Sequence, residues 1–245
     1  MLHRDESLLA VSASSATDAW AVGFTKTVGA AGRNPLAVHW NGSSWTIVPT
    51  PTLTGGAKST LNGVADLSAS NAWAVGKGRN GAALAEHWNG STWSVVPVPT
   101  PAGASSSQLS GISARSPSDI WAVGSVTTVV GTTVQSRTLI EHWNGTAWSI
   151  VTSPSPASND TLSGVAARSA GDVWAVGTRV DRSGATPIGR TLTEHWNGTT
   201  WSVVASPNVG ANDNLLNGVG AATGDVWAVG SSEVTAHTLA LRETG

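Results

Sequence analysis

At 245 residues the chain is long enough to bury a substantial core, in one domain or two. Lys and Arg number 13 against 15 Asp and Glu, for a net charge of −2 and a pI near 6.3. That balance argues against the basic face that nucleic acid demands and the polybasic run that anionic lipid attracts. No apolar run approaches the ~18 residues of a membrane-spanning helix.

The N-terminal MLHRDESLLAVSASS has no uninterrupted apolar stretch of the kind a signal peptide carries. The protein reads as cytoplasmic if Met1 is the genuine start, and as secreted if a leader has been removed. The absence of cysteine fits both compartments. From there one pattern is copied. WAVG begins at Trp20, Trp73, Trp121, Trp174 and Trp227, at intervals of 53, 48, 53 and 53 residues. HWNG follows the first four, at His39, His87, His142 and His195, and Trp45, Trp93, Trp148 and Trp201 each come five positions after its tryptophan. These positions account for all 13 tryptophans, so self-similarity is the main fold signal.

Each unit predicts four short strands, a to d. In the fourth unit these are TLSGVAA (161–167), DVWAVGT (172–178), TLTEHW (191–196) and TWSVVAS (200–206). Asn-Gly between c and d predicts a tight type I′ hairpin. Pro51, Pro99, Pro154 and Pro207 end strand d, where no ladder donor is needed. Strand b is apolar on both faces, so each sheet is predicted to lie between two others. The expectation is an all-β, single-domain, five-bladed β-propeller of four-stranded antiparallel blades, over roughly 7–51, 59–99, 107–154, 160–207 and 214–245. The last blade is incomplete: Arg242 and Glu243 replace His and Trp, and no strand d follows. Residues 1–6 are candidates to close the ring beside 238–242. Otherwise an open edge invites weak homo-oligomerisation in place of a monomer.

The unit DVWAVG…EHWNGTxWSVVxSP resembles tryptophan-rich propeller repeats found in many bacterial, often exported, proteins, and the resemblance spans essentially the whole chain. In blade number it is similar to the tachylectin-type five-bladed lectins, whose sugar-binding motif has no residue-by-residue match here. The resemblance implies the fold and leaves function open.

Glu194–His195, with its copies Glu86–His87 and Glu141–His142, looks like a catalytic pair. Adjacent strand residues point to opposite faces, however, and a fourfold feature is scaffolding. Each His is expected to bond the residue opening strand b: Asp18, Asn71, Asp119 or Asp172. Asn41, Asn89, Asn144 and Asn197 begin glycosylation-type sequons inside these turns, and GKGRNG (76–81) is a turn rather than a phosphate loop. Length and composition vary only in the b–c and d–a links, which emerge on one face. The candidate ligand residues there are Asn34, Arg79, Arg137, Asn159, Asp160, Arg190, Asn212, Asp213 and His237. Arg137, Arg190 and His237 share one position, and Asp160 and Asp213 are taken as counterparts.

The first reading is a non-catalytic module binding a small molecule or glycan on that face, in the manner of a lectin. The alternative is an intracellular cyclase- or isomerase-type enzyme with one asymmetric pocket at the tunnel mouth, using Asp160, Asp213, Glu233 or His237. Neither needs a metal or other cofactor. Whether the protein is catalytic is left open.

Overall fold

The computed structural model describes residues 4–27, 32–53, 58–157, 159–184, 186–222, 225–232 and 237–244. These contain no helix and form five antiparallel sheets in chain order. The first comprises β1 (Arg4–Ser15), β2 (Asp18–Thr27), β3 (Asn34–Trp40) and β4 (Trp45–Val48). The second has β5 (Thr60–Ser68), β6 (Asn71–Lys77), β7 (Ala83–Trp88) and β8 (Trp93–Val96). The third has β9 (Ser106–Ser116), β10 (Asp119–Val130), β11 (Thr133–Trp143) and β12 (Trp148–Val151). The fourth has β13 (Thr161–Ser169), β14 (Asp172–Asp181), β15 (Ile188–Trp196) and β16 (Trp201–Val204). The fifth has β17 (Asn214–Ala222), β18 (Asp225–Ser232) and β19 (His237–Thr244), with no fourth strand among the described residues.

Within each sheet the strands pair in sequence order, and each sheet packs on the next through its first strand: β1 on β5, β5 on β9, β9 on β13, β13 on β17. These inner strands therefore line the common axis. Among the described residues, the first and fifth sheets share no packed strand pair. Residues Arg4 to Glu6, weighed above as a closing strand beside 238–242, instead extend β1 and are registered against Thr25 to Thr27. Met1 to His3 lie outside the described residues.

The final glycine of WAVG has a steric cause. The inner strand carries a bulge opposite it, between Leu61 and Gly63 in the second sheet and between Leu162 and Gly164 in the fourth. A Cβ on Gly76 would fall 1.9 Å from the Thr60 carbonyl oxygen, so only hydrogen fits. The hairpin between the third and fourth strands departs from the expected two-residue turn. Trp40 pairs with Trp45 around a four-residue loop, 41–44. The Asn41 side-chain oxygen accepts hydrogen bonds from the backbone N–H groups of Ser43 and Ser44, both at 3.0 Å, and Gly42 takes φ 91°. The side chain closes the turn itself, so the second positive-φ residue of a type I′ turn is not required.

Three sheet interfaces share one packing device. Trp20 inserts between Trp88 and Trp93, with ring centroids 4.9 Å from both. Trp73 does the same against Trp143 and Trp148 (4.7 and 5.5 Å), and Trp121 against Trp196 and Trp201 (5.2 and 5.5 Å). One tryptophan of each sheet thus plugs a socket of two on the next, in the tilted and edge-on geometries that aromatic quadrupoles favour.

Candidate functional site

The histidines behave as the repeat predicts. His39 lies 2.7 Å from Asp18, His87 3.0 Å from Asn71, His142 2.9 Å from Asp119 and His195 3.0 Å from Asp172. Each imidazole also lies against the tryptophan of its own second strand, 4.3–4.5 Å between centroids. In the fifth sheet Arg242 takes the histidine's place and binds Asp225 through two nitrogens, at 2.9 and 3.0 Å. Burial lowers the His87 pKa, and in that sheet the partner is a neutral amide.

The preceding glutamates are a surprise. Glu86, Glu141 and Glu194 are fully buried at sheet interfaces, and desolvation pushes each carboxyl up to about 8. Of the three, Glu194 alone has a polar partner among the described residues, accepting from Ser153 Oγ at 2.8 Å. Val38 and Leu241 hold this position in the outer two sheets, so apolar residues satisfy the same site. Burial therefore favours the neutral form of each carboxyl.

The predicted rim residues do not converge. Arg79 Nη2 donates to Asn34 Oδ1 between the first two sheets, the one such pair brought together among the described residues. Arg137 is exposed on β11. Arg190 faces Asp181 across its hairpin at 4.0 Å. Asp160 and Asp213 are not counterparts: counted from the buried leucine of each inner strand, the buried Asp160 aligns with Ser59, Ser107 and Asn214, while Asp213 aligns with Asn159. Both carboxylates serve backbone. Asp160 accepts from Ala157 N–H at 2.7 Å and Ser155 Oγ at 3.0 Å, while Asp213 accepts from Gly189 N–H at 2.5 Å. Asn159 has the role of Asp213 in the preceding sheet, accepting from Ser136 N–H at 3.2 Å. The Asn212 carbonyl receives the Asn214 amide at 2.8 Å. His237 opens β19, registered against Ser232, and Glu233 lies outside the described residues.

What the loops do assemble is a cationic cleft of about 300 Å³ beside the axis, at the end where the second strands finish. Arg33, Lys58 and Lys77 line it, with Thr60, Asn62 and Gln108 supplying hydroxyl and amide groups. The backbone fixes these positions. Lys58 forms a parallel bridge to Arg33, Ser59 N–H donates to the Arg33 carbonyl at 3.1 Å, and Thr60 is registered against Lys77. The Arg33 guanidinium stacks 4.1 Å from the centre of the Phe24 ring, and Asn62 Nδ2 ties the cleft to the third sheet through the Leu109 carbonyl at 2.8 Å. Among the described residues, the carboxylates that pair with arginines serve Arg115, Arg168, Arg190 and Arg242, and none reaches these three cations. The sequence did carry a signal for them: other units place Gly81, Ser136 or Gly189 where Arg33 stands, and Phe24, Ser125, Thr178 or Ser231 where Lys77 stands.

No protein-family model matches the chain, and neither does any curated protein. Solved structures do. A fucose-specific lectin from Aleuria aurantia is 9% identical over 95% of this chain and 72% of its own, with a TM-score of 0.59. Another structure of that lectin, described as a six-bladed β-propeller, is 12% identical over 96% of this chain and 76% of its own, with a TM-score of 0.56. The chain is a tryptophan-rich β-propeller. Two further matches are YCF48 bound to D1 peptide (17% identity, 93% of this chain and 63% of that one, TM-score 0.53) and the polysaccharide lyase Uly1 (12%, 96% and 57%, TM-score 0.55). The chain thus spans under two thirds of both of these structures. At such identities the likeness carries fold alone.

Proposed function

We propose that this chain is a non-catalytic, lectin-like carbohydrate-binding propeller and that its ligand site is the cationic cleft at the axial mouth. Its five sheets are five blades of one domain, the last with three strands among the described residues, and the site lies on the face that carries the variable loops. One observation carries the reading: Arg33, Lys58 and Lys77 converge without carboxylate partners among the described residues, beside hydroxyl and amide groups. Hydroxyls and amides suit a polyhydroxylated ligand, and unpaired cations suit one that also bears a carboxylate or sulfate. The ligand class is therefore an acidic glycan. Support at the level of fold comes from the fucose-specific lectin among the similar structures.

The test is a glycan array bearing neutral, uronic acid-containing and sulfated sugars, read with the wild type and with Lys58→Glu/Lys77→Glu. Binding restricted to the acidic sugars and abolished in the double variant supports the assignment. Binding to neutral sugars alone, or acidic binding that survives the double variant, overturns it.

A further inference from the structure

In the third and fourth sheets, hydroxyl groups tie the chain that leaves the outer strand back onto the strand beside it. Thr138 of β11 and Ser153, just past β12, meet hydroxyl to hydroxyl at 2.7 Å, and the Thr138 N–H donates to Ser155 Oγ at 3.4 Å. Ser206 Oγ likewise donates to Thr191 Oγ1 at 2.8 Å, and the Thr191 N–H to Asn208 Oδ1 at 2.9 Å. The strand register and the count from the outer-strand tryptophan put Ala83, Val98 and Thr100 at these places in the second sheet. Ala83 and Val98 carry no hydroxyl, so the tie is lost. The Ala83 N–H donates instead to Ser107 Oγ of the third sheet, at 2.9 Å.

A hollow of about 410 Å³ lies where the tie is missing. Leu53, Leu84, Val96 and Val98 wall it, and the turn from β6 to β7 forms its rim. That hairpin is short: its ladder stops at Lys77–Ala83, whereas those of the third and fourth sheets run on to Val130–Thr133 and Asp181–Ile188. The turn is held by its own bonds, from the Gly78 N–H to the Ala82 carbonyl at 2.8 Å and from the Ala82 N–H to Asn80 Oδ1 at 3.1 Å. It presents Arg79, the one charged residue lining the hollow among the described residues. The guanidinium is anchored through Nη2 on Asn34. Its Nε has no partner, and no carboxylate pairs with it, among the described residues. The hollow and the cationic cleft have no lining residue in common.

We propose that this hollow is a second binding site, for a small carboxylic acid with an apolar body. Its volume lies in the range of sites for single small molecules, and its aliphatic walls suit the body of the ligand. The acid group is assigned by charge and shape, because a carboxylate matches a guanidinium in both. A neutral ligand leaves that cation without an anion beside an apolar wall, and a cationic ligand is repelled by it. The site occurs once because the two substitutions that open it, Ala for Thr and Val for Ser, occur together in the second unit alone.

The test is isothermal titration with 2-naphthoate and with its neutral analogue 2-naphthylmethanol. The wild type should bind the acid saturably and at least about 10-fold more tightly than the alcohol, the factor that a charge-assisted contact supplies. Arg79→Gln should abolish that preference while the alcohol still binds. Ala83→Thr/Val98→Ser installs the hydroxyl pair of the third and fourth sheets, and should remove binding of both compounds while keeping the wild-type circular dichroism. Lys58→Glu/Lys77→Glu, in the cationic cleft, should leave naphthoate binding unchanged. A wild type that takes up no naphthoate at millimolar concentration, or binds acid and alcohol equally, overturns the proposal. So does naphthoate binding that survives Ala83→Thr/Val98→Ser, or that is lost in Lys58→Glu/Lys77→Glu. Should the hydroxyl-bearing variant not fold, an acid preference that persists in Arg79→Gln overturns it alone.

Discussion

Replacing Glu86 with Gln tests whether the buried glutamates are neutral packing groups. Glu86 is fully buried between the first two sheets, its two oxygens have no partner among the described residues, and desolvation raises its pKa from 4.5 to about 8. Below pH 4.5 the carboxyl is protonated in both the folded and unfolded chain and contributes no pH dependence. Between pH 4.5 and about 8 the unfolded chain releases the proton while the folded chain keeps it, so stability falls as pH rises and levels off beyond. At about 1.4 kcal/mol per unit, the ceiling is about 5 kcal/mol, and water penetration leaves an expected ~1–3 kcal/mol. Gln is neutral throughout and nearly isosteric. The stability difference between Glu86→Gln and wild type, from urea denaturation at a series of pH values, should be near zero at acid pH and grow in favour of Gln towards pH 8. A difference that does not change with pH would refute the reasoning.

Glu141→Leu, which copies Leu241 at the same position of the fifth sheet, should likewise gain most at alkaline pH, read as a shift in urea midpoint. Trp121→Ala empties the plug between the third and fourth sheets and should cost ~3–5 kcal/mol in the same assay, whereas the half-exposed Trp227→Ala should cost under ~1 kcal/mol in a single chain. Gly124→Ala places a Cβ 2.0 Å from the Gln108 carbonyl oxygen. It should lose about 3 kcal/mol or more, or yield no folded protein by circular dichroism. Asp160→Ala removes the acceptor that holds Ala157 and Ser155, at ~1–3 kcal/mol of stability, and should leave glycan affinity unchanged.

How far the site was legible follows from which residues repeat. The Asp–His pairs could be read off because they recur in register, and their roles are set by local strand pairing. The cleft could not. Arg33, Lys58 and Thr60 come from different strands and a linker, and their meeting point depends on how the first two sheets abut. Asp160 and Asp213 looked like counterparts because each follows an asparagine. The alignment that matters is to the buried leucine of the inner strand, and it shifts one against the other by a single residue, which in a strand exchanges faces.

The sequence by itself determined the five sheets, the strand order within each and the tryptophan spacing, since all of these follow from the repeat and from period-two patterning. Only the tertiary structure decided that the recurring Glu of the motif is buried with its pKa raised, that two carboxylates are spent on backbone N–H groups, and that Trp45 and Trp227 stand half exposed while their equivalents are buried. Burial and charge state are set by what packs across a sheet face, and the repeated WAVG strand reads the same in the fifth sheet, where Trp227 and Val229 are half exposed, as in the sheets where its equivalents are buried.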